Sequence, residues 1–321
     1  MRSLRTGWNS SATAPAAAPG GRGRDRAPRA ASAALGVVLA LAVAGCDART
    51  TSTPGLAVTA TIYPLAEFAR RSGGAPVNVH TLIPPGVEAH DYEPTLKDLA
   101  ALSRARLFIY NGAGFEPWVE RLLPQLAEGT LRVNATEDLP LVRGDGGVDP
   151  HVWLDPVLAQ QQVERIFAAL GRADPAGRSR YEANAAALRA ALQALDADYR
   201  QVLQECRRKE FITAHAAFGY LARRYGLRVI AVSGLAPEAE PSASRVKEIV
   251  QQARRAGIRV VFVEPLGERR VAETIAREVG GTTAVLDPLE SLTVEAQRAG
   301  KNYFTVMHEN LDQLAQGLDC R

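Results

Sequence analysis

The distribution of apolar positions after residue 55 predicts a chain in which short buried strands alternate with amphipathic helices. Apolar runs of four to eight residues are followed by segments whose apolar residues recur every three or four positions. This alternation indicates parallel sheets with helices on their faces. The predicted strands are 56–62, 76–83, 107–111 and 131–134 in the first half, and 210–213, 228–232, 258–263 and 283–286 in the second half.

Helices are predicted between these strands by the three-and-four spacing of their apolar residues. One of them begins at a recognisable start signal, because Asp155 can cap the first turn and Pro156 suits the first helical position. The predicted helices are 64–73, 95–104, 116–127, 156–170, 216–225, 242–256, 268–279 and 302–318.

The segment from about Pro175 to Cys206 has a different character and predicts one long helix. About 30 residues at ~1.5 Å each would extend roughly 45 Å, which is longer than a single lobe. The alternative is two helices broken near Ala197, although no Gly or Pro stands there. The spacing of three and four is carried by Leu188, Leu192, Leu195, Tyr199 and Val202 or Leu203.

The predicted fold class is therefore α/β, with two lobes joined by one long rigid helix. Each lobe is expected to contain a mostly parallel sheet flanked by helices, and the second lobe repeats the architecture of the first. The predicted divisions are a signal peptide 1–45, a linker 46–55, an N-terminal lobe 56–174, a connecting helix 175–207 and a C-terminal lobe 208–321.

The N-terminal residues resemble a secretory signal. Residues 1–30 are rich in arginine, and the apolar run 31–45 is short of the ~20 residues that span a bilayer as a helix. The run ends in Val-Ala-Gly-Cys46, which resembles the bacterial lipobox. We therefore expect export and a lipid anchor at Cys46, at the cell membrane or facing the periplasm. An ordinary signal peptide or an uncleaved anchor is the alternative.

Removal of residues 1–45 changes the charge balance. The six arginines and one aspartate of this segment leave with it, so 32 basic and 34 acidic residues remain, and the net charge becomes −2 instead of +3. No basic face for nucleic acid is expected.

Cys206 and Cys320 are the cysteines that follow Cys46, and outside the cytoplasm they can form a disulfide or remain as two free thiols.

Candidate chemistry is concentrated in loops at strand ends. His90 follows a predicted strand, His215 lies two residues after another, and His151 precedes a helix. Glu264 and Asp287 each stand at the carboxyl end of a strand. Ligands of open α/β sheets bind outside the carboxyl ends of the strands, so these side chains are expected at one edge.

Three imidazoles and a carboxylate satisfy the four-coordinate preference of Zn²⁺. Neither HExxH nor paired CxxC is present. From spacing alone, the loop histidines could equally be surface groups or catalytic bases. Asp287 before Pro288 is also typical of a helix N-cap, and Glu264 before Pro265 of a turn.

Several segments in succession resemble the zinc- and manganese-binding solute-binding proteins of bacterial ABC transporters, known as cluster A-I. The resemblance runs from about residue 56 to 318. It implies two α/β lobes joined by a long helix, a metal ion in the cleft, a membrane permease as partner, and a monomer. It places the metal ligands at His90, His151, His215 and Asp287. The segments are GVEAHDYEPT, DPHVWLDP, ITAHAAFGYLARRYGL, SGLAPEAEPSASRV, VFVEPLGERRVAETIAREVG and VLDPL.

Histidine at the third ligand position, His215, favours Zn²⁺ over Mn²⁺ within this family. Many zinc members carry a long His-rich loop before the second ligand, whereas this chain has only LVRGDGGVD there, so Mn²⁺ stays an alternative. Glu264 and Glu240 are expected to accept hydrogen bonds from ligand imidazoles.

The expected function is binding and delivery of a metal ion, without catalysis. One rival is a secreted metallohydrolase with Glu264 or Asp287 as general base. A surface adhesin is a weaker rival. His80 and His308 are expected to be structural, and Trp153 is expected to pack against the loop of His151.

Overall fold

Two separate parallel sheets form from the short apolar runs in the computed structural model, which describes residues 55–144, 146–236 and 241–321. The strands of the first sheet are β1 Leu56–Ala60, β2 Val77–Thr81, β3 Leu107–Tyr110 and β4 Leu131–Asn134. Those of the second are β7 Glu210–Thr213, β8 Arg228–Ala231, β9 Val260–Val263 and β10 Thr282–Val285. The first sheet has the order β2-β1-β3-β4 and the second has the order β10-β9-β7-β8.

The two sheets have the same connectivity. In each, the chain moves from the first strand to one neighbour and then returns to the opposite side for the third and fourth strands. Each sheet therefore has a switch point beside its first strand, where open α/β sheets bind ligands. The predicted α/β class with a repeated architecture is confirmed.

Helices cover the faces of both sheets close to the predicted positions. One prediction was too long: residues 116–127 form a four-residue α-helix and a short 3₁₀ turn, because Pro124 cannot donate the backbone hydrogen bond that a continuing helix needs. The α-helices are α1 Tyr63–Gly73, α2 Leu96–Leu102, α3 Val119–Leu122, α4 Pro156–Ala173, α5 Arg178–Leu203, α6 Gly219–Arg224, α7 Ala243–Ala256, α8 Arg270–Glu278, α9 Val294–Arg298 and α10 Tyr303–Leu318.

The long helix α5 is continuous through Ala197, so the alternative of two helices is not observed. Its buried face carries the leucines and tyrosines that the periodicity identified, and it packs against α1, α4 and α10. Helix α4, before it, begins as expected, with the side chain of Asp155 accepting hydrogen bonds from Val157 N and Leu158 N.

The largest apolar core runs without interruption from the first sheet, across α5, to the second. A smaller core lies within the C-terminal lobe, between its sheet and helices α7 and α8. A short antiparallel hairpin of β5 Arg143–Gly144 and β6 Gly147–Val148 was not predicted, and it lies in the loop before His151.

Some predictions fall outside the described residues: the signal peptide, the anchor at Cys46 and the role of Glu240. The lobe boundaries stay predictions.

Cys206 and Cys320 are joined by a disulfide in the structure, and it ties the end of α5 to the C-terminus. Among the described helices, none combines the length and the apolar composition that a membrane crossing requires.

Candidate metal centre

Three histidines and one glutamate converge between the two sheets. The Nε2 atoms of His90, His151 and His215 lie 3.3, 3.2 and 3.2 Å from Oε1 of Glu290. His151 Nε2 and His215 Nε2 are 3.4 Å apart. The three imidazole side chains and the carboxylate are almost completely buried, with exposed fractions of 7% or less. A potential donor atom of each residue therefore faces one common point.

The spacing of these donor atoms fits a tetrahedral zinc ion. A tetrahedron with bonds of ~2.0–2.1 Å to its centre has edges of roughly 3.3–3.4 Å. Four of the six edges are given by the distances above, and they lie between 3.2 and 3.4 Å. Three borderline nitrogen donors and one carboxylate oxygen are also the chemical set that Zn²⁺ prefers. The residues present therefore fit zinc in both geometry and chemistry.

The loops around the site place His151 and His215. His215 follows β7, and its carbonyl accepts a hydrogen bond from Thr213 Oγ1 (2.8 Å). His151 stands between the β5–β6 hairpin and a 3₁₀ turn, where Asn111 Nδ2 donates to the carbonyl of the preceding Pro150 (2.9 Å). The backbone at both histidines is thus held close to a strand or a turn, and this limits where the two imidazoles can lie.

His90 lies in the longer loop after β2. The carboxylate of Glu88 accepts weak hydrogen bonds from the backbone N–H groups of Ala89 (3.0 Å) and His90 (3.4 Å). The ring of Phe115 packs 4.7 Å from the imidazole of His90, centre to centre. Among the residues that the structure describes, none forms a hydrogen bond with His90 Nδ1, so the imidazole of His90 is the least constrained of the three.

Glu290 reaches the site from a segment that crosses between the lobes. Residues 288–292 follow β10 of the second sheet, yet four of their hydrogen bonds join them to the N-terminal lobe. These bonds are Tyr63 N to Glu290 O (3.2 Å), Gly86 N to Leu292 O (2.8 Å), Ser291 Oγ to Pro84 O (3.2 Å) and Trp153 Nε1 to Pro288 O (2.8 Å). The fourth donor is therefore held against the lobe that supplies His90 and His151.

Carboxylates behind two of the imidazoles set their orientation. His151 Nδ1 lies 2.8 Å from Asp149 Oδ1, and His215 Nδ1 lies 2.6 Å from Glu264 Oε1. A carboxylate accepts the Nδ1–H proton, and this leaves the Nε2 lone pair directed at the common point. The same pairing increases the basicity of each imidazole as a metal ligand.

The pKa shifts indicate that the site favours a positive charge. Burial lowers the pKa of His151 and of His215, but the hydrogen bonds and negative charges of Asp149, Glu264 and Glu290 outweigh burial and raise both pKa values. Burial raises the pKa of Glu290, yet its contacts with the three imidazoles hold that pKa well below its usual range. The surrounding carboxylates thus stabilise a positive charge at the point where the three imidazoles meet.

Asp287, the expected fourth ligand, is not in this group and is replaced there by Glu290. The Asp287 side chain turns back on its own loop, where Oδ1 accepts from Leu289 N (2.7 Å). Its backbone N and O are both bonded to the side chain of Asn310. Such a local turn is a common use of Asp before Pro. Burial, with the nearby negative charges of Glu290 and Glu264, raises the pKa of Asp287 to about 7.

Other residues lie where the sequence indicated. His80 and His308 are exposed and remote from the donor group. Trp153 is completely buried, with its ring 5.3 Å from that of His151, and it packs the loop as expected. Sequence reasoning missed Glu290 and Asp149. The signals were present, since Asp149 stands two residues before His151 and Glu290 stands three after Asp287.

Comparison with known proteins gives consistent matches over most of the chain. The profile of the periplasmic zinc-uptake complex component A, ZnuA, matches residues 58–317. The high-affinity zinc uptake system protein ZnuA of Bacillus subtilis is 39% identical over 279 residues, which cover 82% of this chain and 88% of that protein. The zinc-binding lipoprotein AdcA of Streptococcus pneumoniae is 39% identical over 301 residues, which cover 89% of this chain but only 60% of AdcA.

A solved structure agrees with these sequence matches. The Zn(II)-bound ZnuA-like domain of Streptococcus pneumoniae AdcA superposes with a TM-score of 0.74 at 41% identity. The match covers 83% of this chain and 99% of that domain. The chain is thus similar to one complete domain of AdcA.

Proposed function

This chain belongs to the family of the zinc-uptake complex component A, and we propose that it binds one Zn²⁺ ion between its lobes and delivers it to a membrane ABC permease. The family consists of solute-binding proteins of zinc transporters, so the ion is cargo and undergoes no reaction. The ligands that we propose are His90, His151, His215 and Glu290.

The observation that carries the proposal is the arrangement of the four donor atoms. Their spacing of 3.2–3.4 Å matches the edges of a zinc tetrahedron, and the donors come from both lobes. The imidazoles of His151 and His215 are each backed by a carboxylate, as in many zinc sites.

The proposal is tested by metal titration of purified protein without its N-terminal signal. Competition with a chromophoric chelator should show one tight Zn²⁺ site per chain. His215→Ala should weaken binding by roughly a thousandfold, because only three donors remain. His308→Ala is the matched control, since His308 is exposed and distant, and it should bind like the wild type. Equal affinity in both variants would remove His215 from the site.

Zinc is preferred to manganese because three of the four donors are imidazole nitrogens. Mn²⁺ favours oxygen donors and octahedral coordination, whereas this group provides a single carboxylate. In a competitive titration we expect Zn²⁺ to displace Mn²⁺ at equal concentrations. Retention of Mn²⁺ under that competition would contradict the assignment.

Binding is favoured over hydrolysis by the number of protein donors. Four protein donors close a zinc shell, whereas catalytic zinc keeps a position for water. We expect the Zn²⁺-loaded protein to show no metal-dependent hydrolysis of ester or peptide substrates. Turnover that is lost with EDTA and with Glu264→Gln would support the hydrolase instead.

Delivery requires a location outside the cytoplasmic membrane, which fits an extracytoplasmic solute-binding family. We propose that acylated Cys46 anchors a monomer to the membrane beside its permease. Cys46→Ser should move the protein from the membrane fraction to the soluble exported fraction. Unchanged fractionation would contradict the anchor.

We place metal exchange at the loop of His90. His90 is the most exposed of the ligands, and the continuous core across α5 opposes rotation of the lobes. A narrow pocket, lined by Glu88, Glu264 and Glu290 among others, adjoins the site from this side. Crystal structures with and without zinc should differ mainly in residues 84–95. A large rotation of one lobe against the other would contradict this mechanism.

A further inference from the structure

We propose that Gly219 and Tyr220, at the start of α6 in the C-terminal lobe, are positioning residues for the ligand His151 in the N-terminal lobe. They act through Asp149, whose carboxylate accepts the Nδ1–H of His151. The inference rests on the proposed zinc function. It assigns to α6 a role in metal affinity although no atom of α6 belongs to the donor group.

Tyr220 fixes the backbone on both sides of the β5–β6 hairpin. Its hydroxyl donates to the carbonyl of Asp149 (3.0 Å) and accepts from the N–H of Val142 (2.9 Å). Asp149 N also donates to Val142 O (2.9 Å), so the phenol completes the pairing at the base of the hairpin. The hydroxyl thus determines where the backbone of Asp149 lies, two residues before His151.

The ring of Tyr220 is buried in a separate apolar cluster between the lobes. Its exposed fraction is 3%, and the other buried members of the cluster come from the N-terminal lobe: Leu139, Val152 and Leu158. Because Val152 directly follows His151, the ring supports the ligand loop from its other side. The side chain of Tyr220 is therefore fixed by packing and can act as a rigid support.

Gly219 leaves room for the carboxylate of Asp149. A Cβ atom at position 219 would lie 2.6 Å from Asp149 Oδ2, which is closer than van der Waals contact allows. Asp149 cannot yield easily, because its Oδ1 accepts from both the backbone N–H and the Nδ1 of His151, and the residue is 6% exposed. Gly219 has helical backbone angles, so its conformation does not require glycine. Glycine is required at position 219 because the carboxylate of Asp149 approaches so closely.

These contacts connect the second lobe to a ligand of the first. Loss of a partner that orients a ligand imidazole typically weakens metal binding by roughly 10- to 100-fold. A residue that positions such a partner should have a smaller effect, unless it displaces the carboxylate directly. Tyr220 positions Asp149 through the backbone, so loss of its hydroxyl should have the smaller effect. A side chain at position 219 would displace the carboxylate directly and should have the larger effect.

The first test removes only the hydroxyl of Tyr220. We expect Tyr220→Phe to raise the Kd for Zn²⁺ by about threefold to tenfold, because Val142 N and Asp149 O lose their shared partner. The matched control is Tyr199→Phe. Tyr199 is also buried, and its hydroxyl also donates to a backbone carbonyl, that of Met307 (2.6 Å), away from the metal centre. This control should lose stability without a change in Kd.

The second test adds a methyl group next to Asp149. We expect Gly219→Ala to raise the Kd by about tenfold or more, even though alanine is favoured over glycine within a helix. Gly171→Ala in α4 is the matched control. Its Cβ would meet the flexible side chain of Arg178 at 3.4 Å, and its Kd should equal that of the wild type.

A spectroscopic measurement separates positioning from general loss of stability. Co²⁺ replaces Zn²⁺ as the probe, and its visible absorption reports the geometry of the tetrahedral site. The spectrum should change in Tyr220→Phe and Gly219→Ala and stay constant in Tyr199→Phe and Gly171→Ala. Wild-type Kd and spectrum in both test variants would overturn the inference. Wild-type protein that binds no Zn²⁺ would overturn the proposed function before any variant is compared.

Discussion

Two polar clusters, one buried and one partly buried, join the lobes of this protein, and they differ in how their charge is balanced. The metal centre combines three imidazoles with the carboxylate of Glu290. The second cluster centres on Asp196 of α5, whose carboxylate accepts two hydrogen bonds from the guanidinium of Arg224 in α6 (2.8 and 3.0 Å). Tyr225 and Arg200 also contact this carboxylate, and Asp155 at the start of α4 lies 3.6 Å from Arg224.

The difference shows which cluster needs an ion from outside. Asp196 and Asp155 face two permanent cations, so this cluster, which we call the arginine cluster, is neutral with the chain alone. The metal centre and its supports hold three carboxylates, those of Asp149, Glu264 and Glu290, but no lysine or arginine contacts them among the described ion pairs. Among the described groups, protons or a bound cation would balance these three carboxylates. We therefore expect the arginine cluster to contribute stability and the metal centre to contribute binding.

The largest expected effect is on Glu290, the fourth ligand that we propose. Glu290→Gln should raise the Kd for Zn²⁺ by roughly a thousandfold, or about 4 kcal/mol, because the amide lacks the negative charge of the carboxylate. Asp287→Asn is the matched control: it has the same chemical change three residues away, outside the donor group. Its Kd should stay within about threefold of the wild type. Chelator competition measures both values, and the reverse order would restore Asp287 as the ligand.

This contrast also shows what the sequence could predict. The two parallel sheets and the long helix follow from periodicity, which is a local property of the chain. His90, His151 and His215 could be placed near strand ends for the same reason. Their convergence could not be derived from spacing, because consecutive members of the donor group are separated by more than sixty residues along the chain. Resemblance to a family supplied that step.

The position of Asp287 outside the donor group has a physical origin. A carboxylate at the end of a strand satisfies the topological expectation, but its orientation depends on the turn that follows. Leu289 adopts a positive φ of 61°, so the chain turns back after Pro288 and presents Glu290 to the site. A left-handed leucine cannot be predicted from propensity, since such a conformation is disfavoured and survives here only because tertiary contacts maintain it.

The arginine cluster should respond to mutation in the opposite way. Arg224→Met removes the guanidinium and leaves the buried carboxylate of Asp196 without its main partner, which should cost about 3 kcal/mol of unfolding free energy. The Kd for Zn²⁺ should stay close to the wild-type value. Urea unfolding of the metal-free protein measures the first quantity and chelator competition the second. A large loss of zinc affinity without a loss of stability would show that the two clusters are not separate in function.

Zinc itself should stabilise the protein through one cluster only. An ion that binds the folded state alone adds about 2.7 kcal/mol at a free concentration of 100 times Kd. For a chain of this size, that corresponds to a rise in Tm of roughly 5–10 °C. Arg224→Met should show the same rise from a lower starting Tm, whereas Glu290→Gln should show little rise at the same zinc concentration. Differential scanning calorimetry with zinc and with EDTA distinguishes these cases.

The smallest expected effect is the pH dependence of the arginine cluster. Burial raises the pKa of Asp196, but the hydrogen bonds and the charge of Arg224, with help from Tyr225 and Arg200, outweigh burial and lower that pKa. A pKa that is lower in the folded than in the unfolded chain contributes stability at pH values above the unfolded value of about 3.9, and this contribution is lost as pH falls through the folded value.

Asp196→Asn should therefore be less stable than the wild type at pH 7, by on the order of 1 kcal/mol, and this difference should shrink as pH falls below about 4. Urea unfolding of both proteins in EDTA at pH 7 and pH 3 measures the difference without a contribution from bound metal. A difference that stays constant over this range would mean that the charge of Asp196 contributes nothing, and that the hydrogen bonds alone hold α5 and α6 together. In that case the balance of charge would matter for the metal centre alone, and the ion pairs of the arginine cluster would act only as hydrogen bonds.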